Sequence, residues 1–277
     1  MKRPFRAAAV AAAVVLALLV VPATPASART DNRSKPVLFL HGLDAFGSAG
    51  SDCNMWNPMI NALRAWGHTG AMVKIKYYTY DTNCTSSIGS GDQNVSITTL
   101  GNSLAWFIWN NYTSRGITVD IVGHSMGGLI TRSALAQAGG AGAPAYLYVE
   151  DVVTLATPHS GSSWAYGCGW LQCEQIRPGS GFLSGLRQNP QGSGGTDWTL
   201  IGSDSDGIVS ESSATGMSAA HKVQYWWPDY GHSDYYGDTS DARDADVQYN
   251  DNAGWFAWYD APRAVRWSDY ALTYGSW

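Results

Sequence analysis

Apolar side chains recur along this chain in two alternating rhythms. Short runs rich in β-branched and aliphatic residues, Lys35–Leu40, Ile117–Val122, Val152–Ala156, Trp198–Gly202 and Lys222–Trp227, have the length and composition of buried strands. Val73, Ile75 and Tyr77 alternate with polar neighbours as in another strand. Between the runs, Met59-Ile60-Leu63-Trp66 and Leu100-Leu104-Phe107-Ile108 fall at helical spacing. Strand following helix in this way predicts an α/β protein, with a mostly parallel central sheet and helices on both faces. Trp106 and Trp109 read as core or helix-packing residues. Near the end, Asp260-Ala261-Pro262 reads as the cap of a terminal helix on which Val265, Asp269 and Leu272 turn back to the sheet.

The strand ending at Val122 runs straight into Gly123-His124-Ser125-Met126-Gly127-Gly128, ahead of a helix-like segment. A strand that reverses into a helix within about two residues forces its apex into a strained conformation, here at Ser125, which flanking glycines accommodate. Met126 then opens the helix, and its N–H is free to meet negative charge developing beside the serine. Upstream, Lys35–Leu40 ends at once in His41-Gly42-Leu43, the form of an oxyanion loop. Acyl transfer needs two fixed donors at the carbonyl oxygen, and the amides of Leu43 and Met126 are the candidates.

A serine hydroxyl near neutral pH needs an imidazole to take its proton and a carboxylate to hold that imidazole. The chain order nucleophile, acid, histidine excludes His41, His68 and His124 as base. His159 comes too early, and His221 begins a strand at the wrong end of the sheet. His232, just past the carboxyl end of a strand, is the choice. The acid should follow the strand Trp198–Gly202, which leaves Asp206, with Asp204 as the alternative; either could also shape the turn with its side chain.

Together, His41-Gly42, Gly123-His124-Ser125-Met126-Gly127-Gly128, Leu155-Ala156-Thr157-Pro158-His159-Ser160-Gly161, Asp206-Gly207-Ile208-Val209 and Gly231-His232-Ser233 resemble the secreted actinomycete-type triacylglycerol lipases and esterases of the α/β-hydrolase superfamily. The resemblance runs from about Pro36 to Ser233 and implies the α/β-hydrolase fold and carboxylic ester hydrolysis. It puts the nucleophile on Ser125, the acid on Asp206, the base on His232 and the oxyanion donors on Leu43 and Met126. The tail beyond His232 is longer than in compact members of that group. Fold and triad define the reaction without the acyl group, so a short-chain esterase, a phospholipase and a polyester or glycan deacylase stay open beside an acylglycerol lipase.

The basic start Lys2-Arg3-Pro4-Phe5-Arg6, the apolar run Ala7–Val21 and Ala26-Ser27-Ala28 read as a signal peptide over residues 1–28, cleaved near Ala28, so that residues 29–277 form one secreted domain. Removing Lys2, Arg3 and Arg6 takes the formal charge from −5 to −8, a poor match for nucleic acid. The apolar run is short for a membrane span, and the expected partner is an ester or lipid substrate met by a monomer. Four cysteines in an exported chain suggest two disulfides out of three possible connectivities, and Cys53–Cys84 with Cys168–Cys173 is the favoured pair. No metal or other cofactor is expected. The aspartates at 234, 238, 241, 244 and 246 read as an acidic surface loop in preference to a calcium site.

Two segments stay ambiguous. Residues 159–197 mix Gly, Ser and Asn with Trp164, Trp170, Leu171, Phe182 and Leu183, and read either as a lid over an acyl pocket or as a static loop pinned by Cys168 and Cys173. From Tyr225 to Trp277, six tryptophans beside aspartates suggest aromatic sugar platforms and hence a non-catalytic wall- or glycan-binding protein, against the simpler reading of a helix packed on the sheet.

Overall fold

The computed structural model describes residues 31–45, 50–239, 242–249 and 254–274. The expected signal peptide at 1–28, Asp241 and Trp277 lie outside them. Nine strands form one sheet: β1 (Val37–Leu40), β2 (Met72–Tyr78), β3 (Ser86–Gly91), β4 (Val119–His124), β5 (Val149–Leu155), β6 (Asp197–Ser203), β7 (His221–Tyr225), β8 (Arg243–Tyr249) and β9 (Phe256–Ala261), in the order β3-β2-β1-β4-β5-β6-β7-β8-β9. The pairings from β3 through β7 are parallel, and β8 and β9 add two antiparallel steps. The helices are α1 (Asn57–Ala65), α2 (Ile97–Asn111), α3 (Met126–Gln137), α4 (Leu171–Ile176), α5 (Gly181–Gly185), α6 (Glu211–Ala214) and α7 (Ala264–Thr273).

Alternation of side chains along the strands splits the core in two. Leu38 and Leu40 of β1 pack with Ile121, Leu200 and the inner faces of α2 and α3. Val37 and Phe39 pack on the other face with Val122, Val153, Ile201 and the residues of α1 and α7. Trp56, Trp198 and Trp267 are buried within these layers, and each aromatic of that size contributes about 4–6 kcal/mol of gross burial before entropy is counted.

The expected terminal helix exists and buries Val265, Asp269 and Leu272, but it begins later than expected. Arg263 precedes it, and Asp260 belongs to β9, with φ +53° and its amide given to the Asp244 carboxylate at 2.9 Å. The β8–β9 hairpin, which aromatic content disguised, takes the residues assigned to the cap. Trp106 is also corrected. It is 39% exposed and donates its indole N–H to the Gly142 carbonyl, whereas Trp109 packs edge-on against Tyr146.

Residues 159–197 form a 3-10 turn (Ser163–Gly167), α4 and α5, of which Trp164, Ala165 and Ile176 reach the cavity at the carboxyl edge, while Ser193 and Thr196 return to the amino end of β5, bonding the Leu147 and Val149 carbonyl oxygens. Disulfides join Cys53 to Cys84 and Cys168 to Cys173. The buried Arg132 of α3 donates to the main-chain oxygens of Arg187 (3.0 Å), His159 (3.1 Å) and Leu186 (3.2 Å), and so ties this segment to the helix behind Ser125. Gln172 adds a second tie, donating to the Val95 carbonyl at 2.8 Å and accepting from the Tyr78 hydroxyl at 2.5 Å.

Candidate active site

β4 ends at His124 and α3 starts at Met126, so Ser125 alone makes the reversal, at φ +52° and ψ −125°. That region is costly for a residue with a side chain and persists where the surroundings over-determine it. The glycines around it supply this constraint. A side chain on Gly123 would meet the Gly128 amide at 2.7 Å, one on Gly127 would meet the Leu40 carbonyl oxygen at 2.3 Å, and one on Gly128 would meet Thr157 Oγ1 at 2.1 Å. Gly123 therefore clears the turn itself, while Gly127 and Gly128 let the helix lie against β1 and the end of β5.

His232 follows β7 and Asp206 follows β6, each in a loop at the carboxyl edge of its strand. His232 Nε2 lies 3.0 Å from Ser125 Oγ, and His232 Nδ1 lies 2.9 Å from Asp206 Oδ2 and 3.1 Å from Oδ1. The Asp206 side chain is fully buried, while the His232 side chain remains 18% exposed. Burial alone would raise the Asp206 carboxyl; the hydrogen bond and charge of His232, with the amides of Val209 and Ile208, outweigh it and hold the group below its ordinary value. Those two amides donate to Oδ1 at 3.0 and 2.9 Å, so Asp206 both shapes its turn and faces the imidazole. Asp204 is exposed and stands apart from His232.

Three of the remaining histidines lie away from Ser125. His221 sits at the opposite end of the sheet, 3.5 Å from Asp197, His68 pairs with Asp269 at 2.9 Å, and His159 is buried against Thr154 at 3.1 Å. Gly42 passes directly over Ser125, where a side chain would lie 2.9 Å from Ser125 Cβ. Met126 opens α3, so its amide has no acceptor within the helix. A cavity of about 410 Å³ opens on Ser125 and His232, walled by Leu43, Met55, Trp164, Ile176, Val209 and Tyr236. Its lining suits an acyl chain, and a fixed hydroxyl–imidazole–carboxylate line beside it can perform nucleophilic acyl transfer.

Sequence reasoning missed three supports. The Tyr235 hydroxyl reaches Asp206 Oδ2 at 3.4 Å, His124 anchors the main chain of His232, and Asp81 lies under the His41 loop. None has a sequence signature, because each depends on two distant loops meeting.

Among the described residues no cluster of three or more His, Cys, Asp or Glu could hold a metal. Of the aspartates read as an acidic surface loop, Asp234 accepts from the Gly231 amide and Asp238 lies 3.3 Å from Arg243, whereas Asp244 and Asp246 belong to β8. No helix among the described residues is long and apolar enough to cross a membrane.

A mostly parallel nine-stranded sheet flanked by helices, with a serine turn, an acid loop and a histidine loop on its carboxyl edge, defines the α/β-hydrolase fold. Residues 31–170 match the PGAP1-like alpha/beta domain, and the chain belongs to that family. The fold is similar to lipase BlEst2 of Bacillus licheniformis in its propeptide form, with TM-score 0.52 and 20% identity over 76% of this chain and 49% of that one. It is similar also to the lin2722 gene product of Listeria innocua, with TM-score 0.52 and 11% identity over 86% and 94% of the two chains. This chain thus spans about half the length of the BlEst2 propeptide form. No curated protein matches the sequence.

Proposed function

We propose that this chain is a secreted serine hydrolase of carboxylic esters, acting on acylglycerols through an acyl-enzyme on Ser125. The observation that carries the reading is the unbroken contact line from Ser125 Oγ through His232 to Asp206 at the floor of a cavity with apolar walls. In this mechanism His232 Nε2 takes the Ser125 proton as the oxygen adds to the ester carbonyl. The Leu43 and Met126 amides receive the developing oxyanion, and the alcohol leaves with the proton from His232. Water repeats the sequence on the acyl-enzyme and releases the acid. Asp206 holds the imidazole with Nδ1 protonated and stabilises the imidazolium. Two disulfides support an oxidising, extracellular setting for residues 29–277.

The test is hydrolysis of p-nitrophenyl esters from acetate to palmitate, with triolein, by the wild type and Ser125→Ala. Turnover that survives in the variant overturns the reading. Asp206→Asn should lower kcat on the order of 10³–10⁴-fold by favouring the wrong tautomer. A wild-type preference for long chains identifies the lipase, and confinement to acetate and butyrate replaces it with a short-chain esterase.

A further inference from the structure

We propose that Tyr77, His41 and Asp81 form a second hydrogen-bonded unit that aims and strengthens the Leu43 amide as an oxyanion donor, which makes them positioning residues for this reaction. The inference rests on the serine-hydrolase reading of Ser125.

Asp81 is fixed from three sides. Its Oδ2 accepts from the amides of Tyr77 (2.9 Å) and Tyr78 (2.8 Å) and meets His41 Nε2 at 3.0 Å, while Oδ1 accepts from the Ser51 amide at 2.6 Å. Burial works to raise this carboxyl, and the bond to His41, its charge and the two tyrosine amides outweigh it and leave the carboxylate below its usual range. His41 is stacked on the Tyr77 ring, with centroids 4.0 Å apart and planes inclined by 19°. Both side chains are buried. Such a net of buried, mutually bonded groups is rigid.

What this net grips is the main chain of the loop over Ser125. The Tyr77 hydroxyl lies 2.5 Å from the His41 carbonyl oxygen and 3.0 Å from that of Gly42, and His41 Nδ1 lies 2.9 Å from the same Gly42 oxygen. A phenol carries one proton, and the shorter contact claims it. The Gly42 oxygen also faces His41 Nδ1, and the Asp81 carboxylate faces His41 Nε2, so the imidazole bridges the loop carbonyl and the buried carboxylate.

A trans peptide points its carbonyl and its N–H in opposite directions. Drawing the Gly42 oxygen toward His41 and Tyr77 turns the Leu43 N–H of the same peptide away from them. Leu43 lines the cavity that opens on Ser125, and Gly42 presses against Ser125 itself. Donation into the carbonyl also polarises the peptide, so its N–H binds an anion more strongly. The unit therefore acts most in the transition state, when the substrate oxygen becomes charged.

The experiment compares Tyr77→Phe and Asp81→Asn with the wild type on p-nitrophenyl butyrate and on butylboronic acid, whose adduct on Ser125 places a tetrahedral oxygen where the oxyanion develops. We expect kcat to fall about tenfold in each, short of the hundred- to thousandfold that a whole oxyanion donor is worth. KM should stay within about twofold, and boronate affinity should fall by the same factor as kcat. Wild-type kcat, a change confined to KM, or unchanged boronate affinity overturns the proposal. If a variant fails to fold, the wild type carries the test: the His41 ring nitrogen resonances should shift when the boronate adduct forms, and stationary resonances overturn the idea. Ser125→Ala, run alongside, separates the two levels. Turnover there refutes the serine mechanism, whereas its loss there with normal rates in both other variants refutes only the positioning unit.

Discussion

The Nε2–H of His124 donates to the carbonyl oxygen of His232 at 2.6 Å, so the residue before Ser125 holds the backbone of the histidine facing it. The two rings lie 4.9 Å apart, and Tyr236 packs edge-on against His124. His124→Phe keeps the ring and removes the donor. It should lower kcat about tenfold, the scale of one positioning hydrogen bond of ~1–1.5 kcal/mol, while esters of different chain length lose activity in parallel. A chain-length series read as kcat and KM checks this.

Gly127→Ala should destabilise the protein by about 3 kcal/mol or more, because the added methyl would sit 2.3 Å from the Leu40 oxygen and 2.5 Å from the His41 oxygen, neither of which can move without the sheet. Gly167→Ala is the matched control. Its added methyl meets nothing within 4 Å, and stability should stay within about 0.5 kcal/mol of wild type. Urea unfolding of both proteins makes the comparison.

Acid sensitivity should begin well above the carboxylate range. Burial, with the neighbouring His232 charge second, lowers His124 to about 3, and burial with Arg132 and Lys222 nearby pushes His159 far down. A histidine whose folded value is depressed contributes stability that is complete above its unfolded value of about 6.5 and is lost as the pH falls toward the folded value. Asp81, Asp206 and Asp269, all held below their ordinary values, add a second loss as pH falls below about 4. Melting temperature should therefore decline in two stages from about pH 6.5, and His159→Gln should flatten the first. A single decline confined to pH below 4 contradicts this account.

Lys35→Met should cost about 3–5 kcal/mol, since Lys35 Nζ lies within 3.0 Å of Asp120, 2.6 Å of Asp151 and 3.4 Å of Glu150, and its removal strands buried carboxylates at the amino edge of the sheet. Lys35→Met combined with Asp120→Asn should recover part of the loss. Thermal unfolding at pH 5 and 8 reports both effects, with the single variant hurt more at pH 8, where the carboxylates carry full charge.

How far the sequence could be read depended on the range of the forces involved. Strands such as Val119–His124 and Val149–Leu155 are buried on both faces, so their apolar runs identify them with ends displaced by a few residues. The serine turn was legible because local sterics dictate its glycines. Asp206 and His232 could be placed because a parallel sheet collects loop residues on one edge. The β8–β9 hairpin was hidden because β9 is an exposed edge strand, with Phe256 and Trp258 open to solvent, so its pattern lacks a buried face. The His41–Asp81 and His124–His232 contacts bridge 40 and 108 positions, and no local pattern encodes them.

Arg132 recognises the segment above the cavity only through main-chain oxygens, at His159, Leu186 and Arg187. A clasp of that kind is indifferent to the side chains it secures. Trp164, the exposed one of the residues that face the cavity from this segment, can thus be exchanged for larger or smaller groups while its scaffold stays fastened to α3. Such an arrangement leaves room for selection to retune which acyl groups are accepted without disturbing the chemistry beneath.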